Sequence, residues 1–449
     1  MNTILGELGK NIKFKELLKN IENTESPIAI SGLTDVGLTQ ITTAINEFAK
    51  KPICIITYNE IQAGKIYENI KYFTDKVVLF PKKEVVTYDY IAESKDLPYR
   101  RIETLNQIKS KKNLIVITTI EAVMQKLPQK DILYKDIINF KIGESYNLED
   151  IKQKLISLGY VRYDLIEGRG QFSVRGGILD IATNDKVGIR LEFWGDEIDS
   201  IREFNIETQR SIKNIETSKI YPAHEYILQE NIETTCEKIK EKYQNYKQEI
   251  IGEDIEQIKI GNYISKIDKY FDCFYDKQQT ILEYLNKEYL ILIDEFNKII
   301  ARSKNIKEDK KNLRNSLIEK ERQVPEAITN DSELEEIQDI LKSKQLLYVN
   351  KQDISNEIVA QRFNFNYREI NYYKSETQTF FEDIAKAIKN KKSIYVLLDT
   401  KEKAKKLKKM LEEQEIPCLI EEKLNQTIIV KSRENIVTIS IGKITSGFE

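Results

Sequence analysis

The chain has 449 residues, 41% hydrophobic and 32% charged, which is enough for two to four folded domains and too apolar for a disordered chain. With 70 Lys and Arg against 72 Asp and Glu the net charge is −2, which argues against a protein coated for nonspecific nucleic-acid binding but leaves room for a local patch. A single histidine, His224, and four scattered cysteines without a CxxC pair exclude a His-rich metal site, a zinc knuckle and a disulfide framework. No run approaches the roughly 18 apolar residues of a membrane span, and MNTILGELGKNIKFKELL lacks the apolar core of a signal peptide. The expected location is a reducing cytoplasm.

From 27 to 130, short apolar runs alternate with amphipathic segments. PIAIS (27–31) reads as a buried strand ending on a glycine loop, and Ile41, Ala44, Ile45 and Phe48 predict a helix over about 38–50. ICIITY (53–58), VVLF (77–80) and LIVITT (114–119) read as further strands, with a helix through Ile61, Ile66, Ile70 and Phe73 between the first two. This rhythm predicts a parallel sheet with crossover helices.

The glycine loop, SGLTDVGLTQ (31–40), follows the phosphate-binding pattern G-x-x-x-x-G-K-[ST] at Gly32, Gly37 and Thr39. Leu38 stands where the lysine belongs, and Asp35 adds a negative charge beside the phosphates. A charge contact of that kind is worth on the order of a few kcal/mol, so its loss argues against tight ATP binding and hydrolysis, though weak binding through the backbone could survive. Further on, YLILIDEF (289–296) reads as a strand that fits the same parallel sheet, ending in Asp294 and Glu295, the carboxylates a Walker B site offers to Mg²⁺ and water. The plain alternatives are a loop that only resembles the motif and carboxylates that end a strand and cap a helix.

Between 131 and 220 the pattern changes to one helix, 148–158, followed by short alternating strands. GIRLEF (188–193) sets Ile189, Leu191 and Phe193 on one face and Arg190 and Glu192 on the other. WGDE (194–197) turns and IDSIREF returns, predicting a hairpin. Gly168, Gly170, Gly176 and Gly177 suggest tight turns. Trp194, at the turn, is read as a lid on a local core in preference to an interface anchor. Residues 221–345 read as mostly helical, with 304–323 a solvated helix or connector. SIYVLLDT (393–400), KEKAKKLKKMLEEQ and IPCLIEE form a second α/β unit, whose lysines at 401–410 read as a solvated face, with a phosphate-backbone contact as the alternative. The expected architecture is α/β. A helicase-like parallel-sheet domain with a degenerate P-loop is assembled from 1–130 and 221–345, an α+β module is inserted at 131–220, and a small α/β domain follows at 346–449.

The most distinctive strings are LGYVRYDLIEGRGQFSVRGGILDI (158–181), VGIRLEFWGDEIDSIREFNIETQRS (187–211) and YPAHEY (221–226). They resemble the module that the bacterial transcription-repair coupling factor family (Mfd) shares with the excision-repair helicase UvrB. The missing lysine and the short span between Tyr90 and Arg101, too brief for UvrB's aromatic hairpin, favour the coupling factors. VVTYDYIAESKDLPYRRIETLNQI is similar to their counterpart, and ITSGFE (444–449) to the approach to their polymerase-interaction domain.

The resemblance implies that the module binds UvrA through Arg162, Arg169, Phe172 and Arg175, with Glu192 in support. Ser173 stands where UvrB has a further arginine, so the resemblance implies no charged contact there. Between 151 and 220 there are 11 Lys/Arg and 11 Asp/Glu, a balance that suits a protein partner better than DNA. Each residue has a plain alternative: Arg175 bridging Asp180 or Glu167, Phe172 in the core, Arg162 and Arg169 solvated. The resemblance further implies a non-catalytic adapter that brings UvrA to stalled RNA polymerase, with no cofactor of its own. ATP, Mg²⁺, the translocase motor and the contacts to RNA polymerase and double-stranded DNA would lie beyond residue 449, in a longer protein. The family also uses this region to restrain the motor at rest. The competing expectation is a UvrB-like, ATP-dependent DNA-damage-binding helicase subunit.

Overall fold

A computed structural model describes residues 3–83, 96–227, 231–245, 247–259, 269–319, 331–352, 359–370, 373, 377–421 and 435–449. The stretch 84–95, on which the expected absence of a long hairpin partly rests, and the end of 304–323 lie outside these residues.

The apolar runs read as strands are strands: Ile28–Ser31, Ile53–Thr57, Val77–Phe80, Ile115–Thr119 and Leu290–Asp294. They lie in one seven-stranded sheet, every pairing of which is parallel. From one edge to the other the order is 361–364, 28–31, 345–350, 290–294, 53–57, 115–119, 77–80. The strands are apolar at nearly every position because both faces are covered. Ile53 and Ile55 face one core with Leu17, Ile41, Ile45 and Ile66, whereas Cys54 and Ile56 face the other.

Two strands of this sheet, Gln345–Asn350 and Gln361–Asn364, come from the stretch expected to open the small C-terminal domain. The 345–350 strand fills the gap between 28–31 and 290–294, pairing Leu347 with both Ile28 and Leu292. A division at 345/346 would therefore cut through the large sheet. The C-terminal unit proper is a three-stranded parallel sheet, 394–398, 437–441 and 418–421, with helices Thr377–Lys389 and Lys401–Glu413 and a core of Ile384, Ala404, Leu411, Val437 and Ile439. A separate helical cluster, centred on Ile239, Ile258, Tyr270 and Tyr275, lies between 226 and 275.

The inserted module hangs from a neck in which strands Ile138–Lys141 and Thr217–Ile220 pair antiparallel. Its body is a six-stranded sheet in the order 211–214, 197–205, 187–194, 178–182, 171–175, 161–162, antiparallel except for the last pair. Helix Leu148–Ser157 lies at its base, capped by the Asn147 side chain. Phe172, Leu179, Ile181 and Leu191 of this sheet share a single apolar cluster with Cys54, Ile56, Ile102 and Ile293 of the large domain. Cys54, Cys236, Cys273 and Cys418 are free thiols. Among the described residues no helix is long and apolar enough to cross a membrane, and no group of three or more His, Cys, Asp or Glu side chains is arranged to hold a metal ion.

Candidate functional site

The glycine loop and the strand-end carboxylates meet at the C-terminal edge of the large sheet. The helix after the loop starts at Asp35, earlier than its apolar spacing predicts, because Thr34 caps it and accepts from the Gly37 N–H at 3.0 Å. One donor that a phosphate would need is thus taken by a hydroxyl of the chain itself. Thr39, expected from the motif to hold the Mg²⁺-binding place, is buried and donates to the Val36 carbonyl at 2.7 Å. Leu38 is 4% exposed and belongs to the apolar core, so its side chain points away from solvent.

The segment after strand 361–364 lies across the loop. Phe365 N–H donates to Ser31 O, and Tyr367 N–H to Gly32 O, both at 2.9 Å. Gly32 has φ +75, and a Cβ there would fall 1.8 Å from the Phe365 carbonyl oxygen. A Cβ on Gly37 would fall 2.7 Å from the Tyr367 ring. The Tyr367 hydroxyl donates to Gln40 Oε1 at 2.8 Å, and its ring stacks on Phe448 with centroids 5.8 Å apart.

Asp294 is buried and accepts from the Thr57 hydroxyl at 2.7 Å. Burial pushes its pKa up to about 6, against the pull of that hydrogen bond, and Glu295 and Asp35 add to the rise. Burial also works to raise Asp35, but Lys351 at 2.9 Å and a hydrogen bond from Gln62 outweigh it, leaving its pKa below the ordinary value. Glu295 has a left-handed backbone (φ 59), accepts from the Lys351 N–H at 2.6 Å and pairs with Lys298 at 3.3 Å. Asp35 and Glu295 are thus each answered by a lysine of the chain itself, Lys351 and Lys298.

The five residues expected to contact UvrA fall into different environments. Arg162 is exposed on the edge strand Val161–Arg162, and among the described residues no hydrogen bond or ion pair holds its guanidinium. Arg175 is 49% exposed and donates to Asp180 Oδ2 at 2.9 Å. Asp180 is fully buried and is also held by Arg190, Nε to Oδ1 at 2.6 Å and Nη2 to Oδ2 at 2.9 Å. Those hydrogen bonds raise the Arg190 pKa above its ordinary value. Glu192 pairs with Arg202 and accepts from the Ser200 hydroxyl at 2.8 Å.

The other two of the five are engaged within the chain. Phe172 is fully buried in the shared core, because the inward face of its strand is set by pairing with Ile181. Arg169 is 11% exposed and spans the seam to helix Asp96–Ser110, reaching Glu103 at 3.1 Å and Asp185 at 2.8 Å with its guanidinium 5.5 Å from the Tyr99 ring centroid. His224 packs in the same seam beside Gly159 and Tyr99, where burial lowers its pKa. Trp194, read as a lid, instead projects into solvent. The Asp180–Arg190 pair and the ion pair of Arg101 with Glu225 were not singled out from the sequence; the alternation of GIRLEF placed Arg190 on the polar face but gave it no partner.

Residues 138–226 match the UvrB interaction domain family. Over its whole length the chain is 24% identical to the transcription-repair-coupling factors of Bacillus subtilis (strain 168) and Staphylococcus haemolyticus (strain JCSC1435), covering 39% of each. It is 26% identical to that of Staphylococcus aureus (strain Mu50) over 89% of this chain and 35% of the relative. The chain thus spans about two fifths of the length of the curated relatives it matches. The chain is thus similar along its length to transcription-repair-coupling factors, as its motifs lead one to expect, and residues 138–226 match the UvrB interaction domain.

Proposed function

We propose that this chain is an adapter in transcription-coupled repair that docks UvrA through its inserted module, hydrolyses no ATP itself and works in the cytoplasm. The observation that carries the reading is the match of the UvrB interaction domain to the module whose far end is solvent-exposed and of mixed charge. RNA polymerase and double-stranded DNA would be engaged by other parts of a longer protein, as would ATP and Mg²⁺. Loss of nucleotide chemistry is supported by the self-capped Gly37 N–H, the buried Leu38 and the Tyr367 ring over Gly37. These features count against the alternative of a UvrB-like ATP-dependent enzyme, because a phosphate would have to displace internal hydrogen bonds without a cation to receive it.

The test is retention of purified UvrA on the immobilised chain, with Arg162→Glu as the variant. Arg162 is exposed, so its reversal should weaken retention without disturbing the fold. Failure of the unaltered chain to retain UvrA would overturn the docking reading. Mg²⁺-dependent micromolar binding of a fluorescent ATP analogue would overturn the non-catalytic one.

A further inference from the structure

Trp194 is the chain's single tryptophan, and it is 86% exposed. The tip that carries it is braced from both sides. Gly195, with φ +64, makes the turn. Phe193 N–H donates to Gly177 O at 2.8 Å, Tyr146 N–H to Asp196 O at 2.7 Å, Gly143 N–H to Ile198 O at 2.9 Å and Ile198 N–H to Glu144 O at 3.1 Å. A Cβ on Gly177 would lie 2.9 Å from the Phe193 carbonyl oxygen, so the neighbouring turn packs closely against this one. Three turns, at 142–145, 176–177 and 194–196, therefore meet at one end of the module. They hold the indole out on a stiff support. Around it, Glu144, Asp196 and Glu197 are exposed carboxylates, against two exposed cations, Arg175 on the adjacent hairpin and Lys141, 4.0 Å from Glu144.

A large amphipathic ring held in water forgoes most of the burial free energy its surface could provide. An isolated exposed aromatic needs no explanation. One fixed by four backbone hydrogen bonds, inside the segment that matches an interaction domain, has the properties of an interface anchor: large area and little motion left to lose on binding. We propose that Trp194 inserts into an apolar pocket of the protein partner, and that the pocket's rim is predominantly basic, to meet Glu144, Asp196 and Glu197. The proposal rests on the reading of the module as the UvrA-docking surface and names the residue that anchors it.

The whole chain, grown with fluorotryptophan, carries one fluorine label at position 194. Titration with unlabelled UvrA should shift or broaden that resonance. Trp194→Ala should weaken binding by roughly 30-fold or more, and Trp194→Phe by no more than about fivefold, since the ring body is kept. Neither substitution should change the melting temperature, because the side chain packs against little. If UvrA binds the unaltered chain and Trp194→Ala equally, or binds without moving the resonance, the anchor is wrong while the docking reading stands. If UvrA does not bind the unaltered chain, the docking reading falls and takes the anchor with it.

Discussion

Arg101 and Glu225 form an ion pair closed off from solvent, Nε to Oε2 at 2.9 Å with side chains 1% and 3% exposed. Arg101 also donates to the Pro81 carbonyl at 2.8 Å, and its guanidinium lies 4.2 Å from the Phe80 ring centroid. The pair joins helix Asp96–Ser110 to the segment that leaves the module. Breaking a buried pair strands the remaining charge, so Glu225→Ala should cost about 3–5 kcal/mol. The double substitution Arg101→Met with Glu225→Leu should recover part of that loss. Urea unfolding of the single and double variants checks both expectations.

The buried Asp294 gives the fold a pH dependence of definite sign. Its folded pKa of about 6 lies above the unfolded value near 3.8, so the folded state holds the proton more tightly. Its contribution is therefore most favourable below about pH 4 and is lost as pH rises towards 6. Asp294→Asn removes the titration and can still accept from Thr57. Relative to the unaltered chain, the variant should gain stability between pH 4 and pH 7, by an amount on the order of 1–3 kcal/mol. Denaturation midpoints at the two pH values measure it.

Completing the lysine pattern should not confer nucleotide binding. In Leu38→Lys the ammonium would enter an apolar core next to Ile41 and Ile45, where an unpaired charge is costly. The variant should lose roughly 2 kcal/mol or more of stability and show no tight binding of a fluorescent ATP analogue. Micromolar binding by this variant would mean that the loop is not filled as described.

Phe172 and Arg162 should separate folding from docking. Phe172→Ala leaves a cavity in the shared core and should cost about 3–5 kcal/mol, seen as a lowered melting temperature. Arg162→Glu should leave the melting temperature within a degree or two, by about the few tenths of a kcal/mol usual for surface changes. The two variants should therefore rank oppositely in thermal stability loss and in UvrA binding per folded molecule.

Much of the fold was legible because strands covered on both faces leave an uninterrupted apolar record, as at ICIITY and YLILIDEF. The order of those strands was not legible, since an apolar strand fits any interior slot; QLLYVN entered the large sheet by filling the space beside Ile28 and Leu292. In the site, the departure at Leu38 was visible in the motif, but the overlay by Phe365 and Tyr367 depends on contacts more than 300 residues apart in sequence. Phe172 could not be assigned a face, because QFSVRG alternates and either set could point inward until pairing with Ile181 fixed it. The partners of Arg169 were no more legible: Glu103 and Asp185 lie on separate elements that only the folded seam brings together.

The apolar cluster that runs from Phe172 into Ile56 and Ile293 has a mechanical consequence. A pendant domain on a flexible strap would let its cargo wander. Here the strap is short, and the surfaces behind it are fused, so the module behaves as an outrigger welded to the hull: whatever grips its far end must turn the whole seven-stranded body with it.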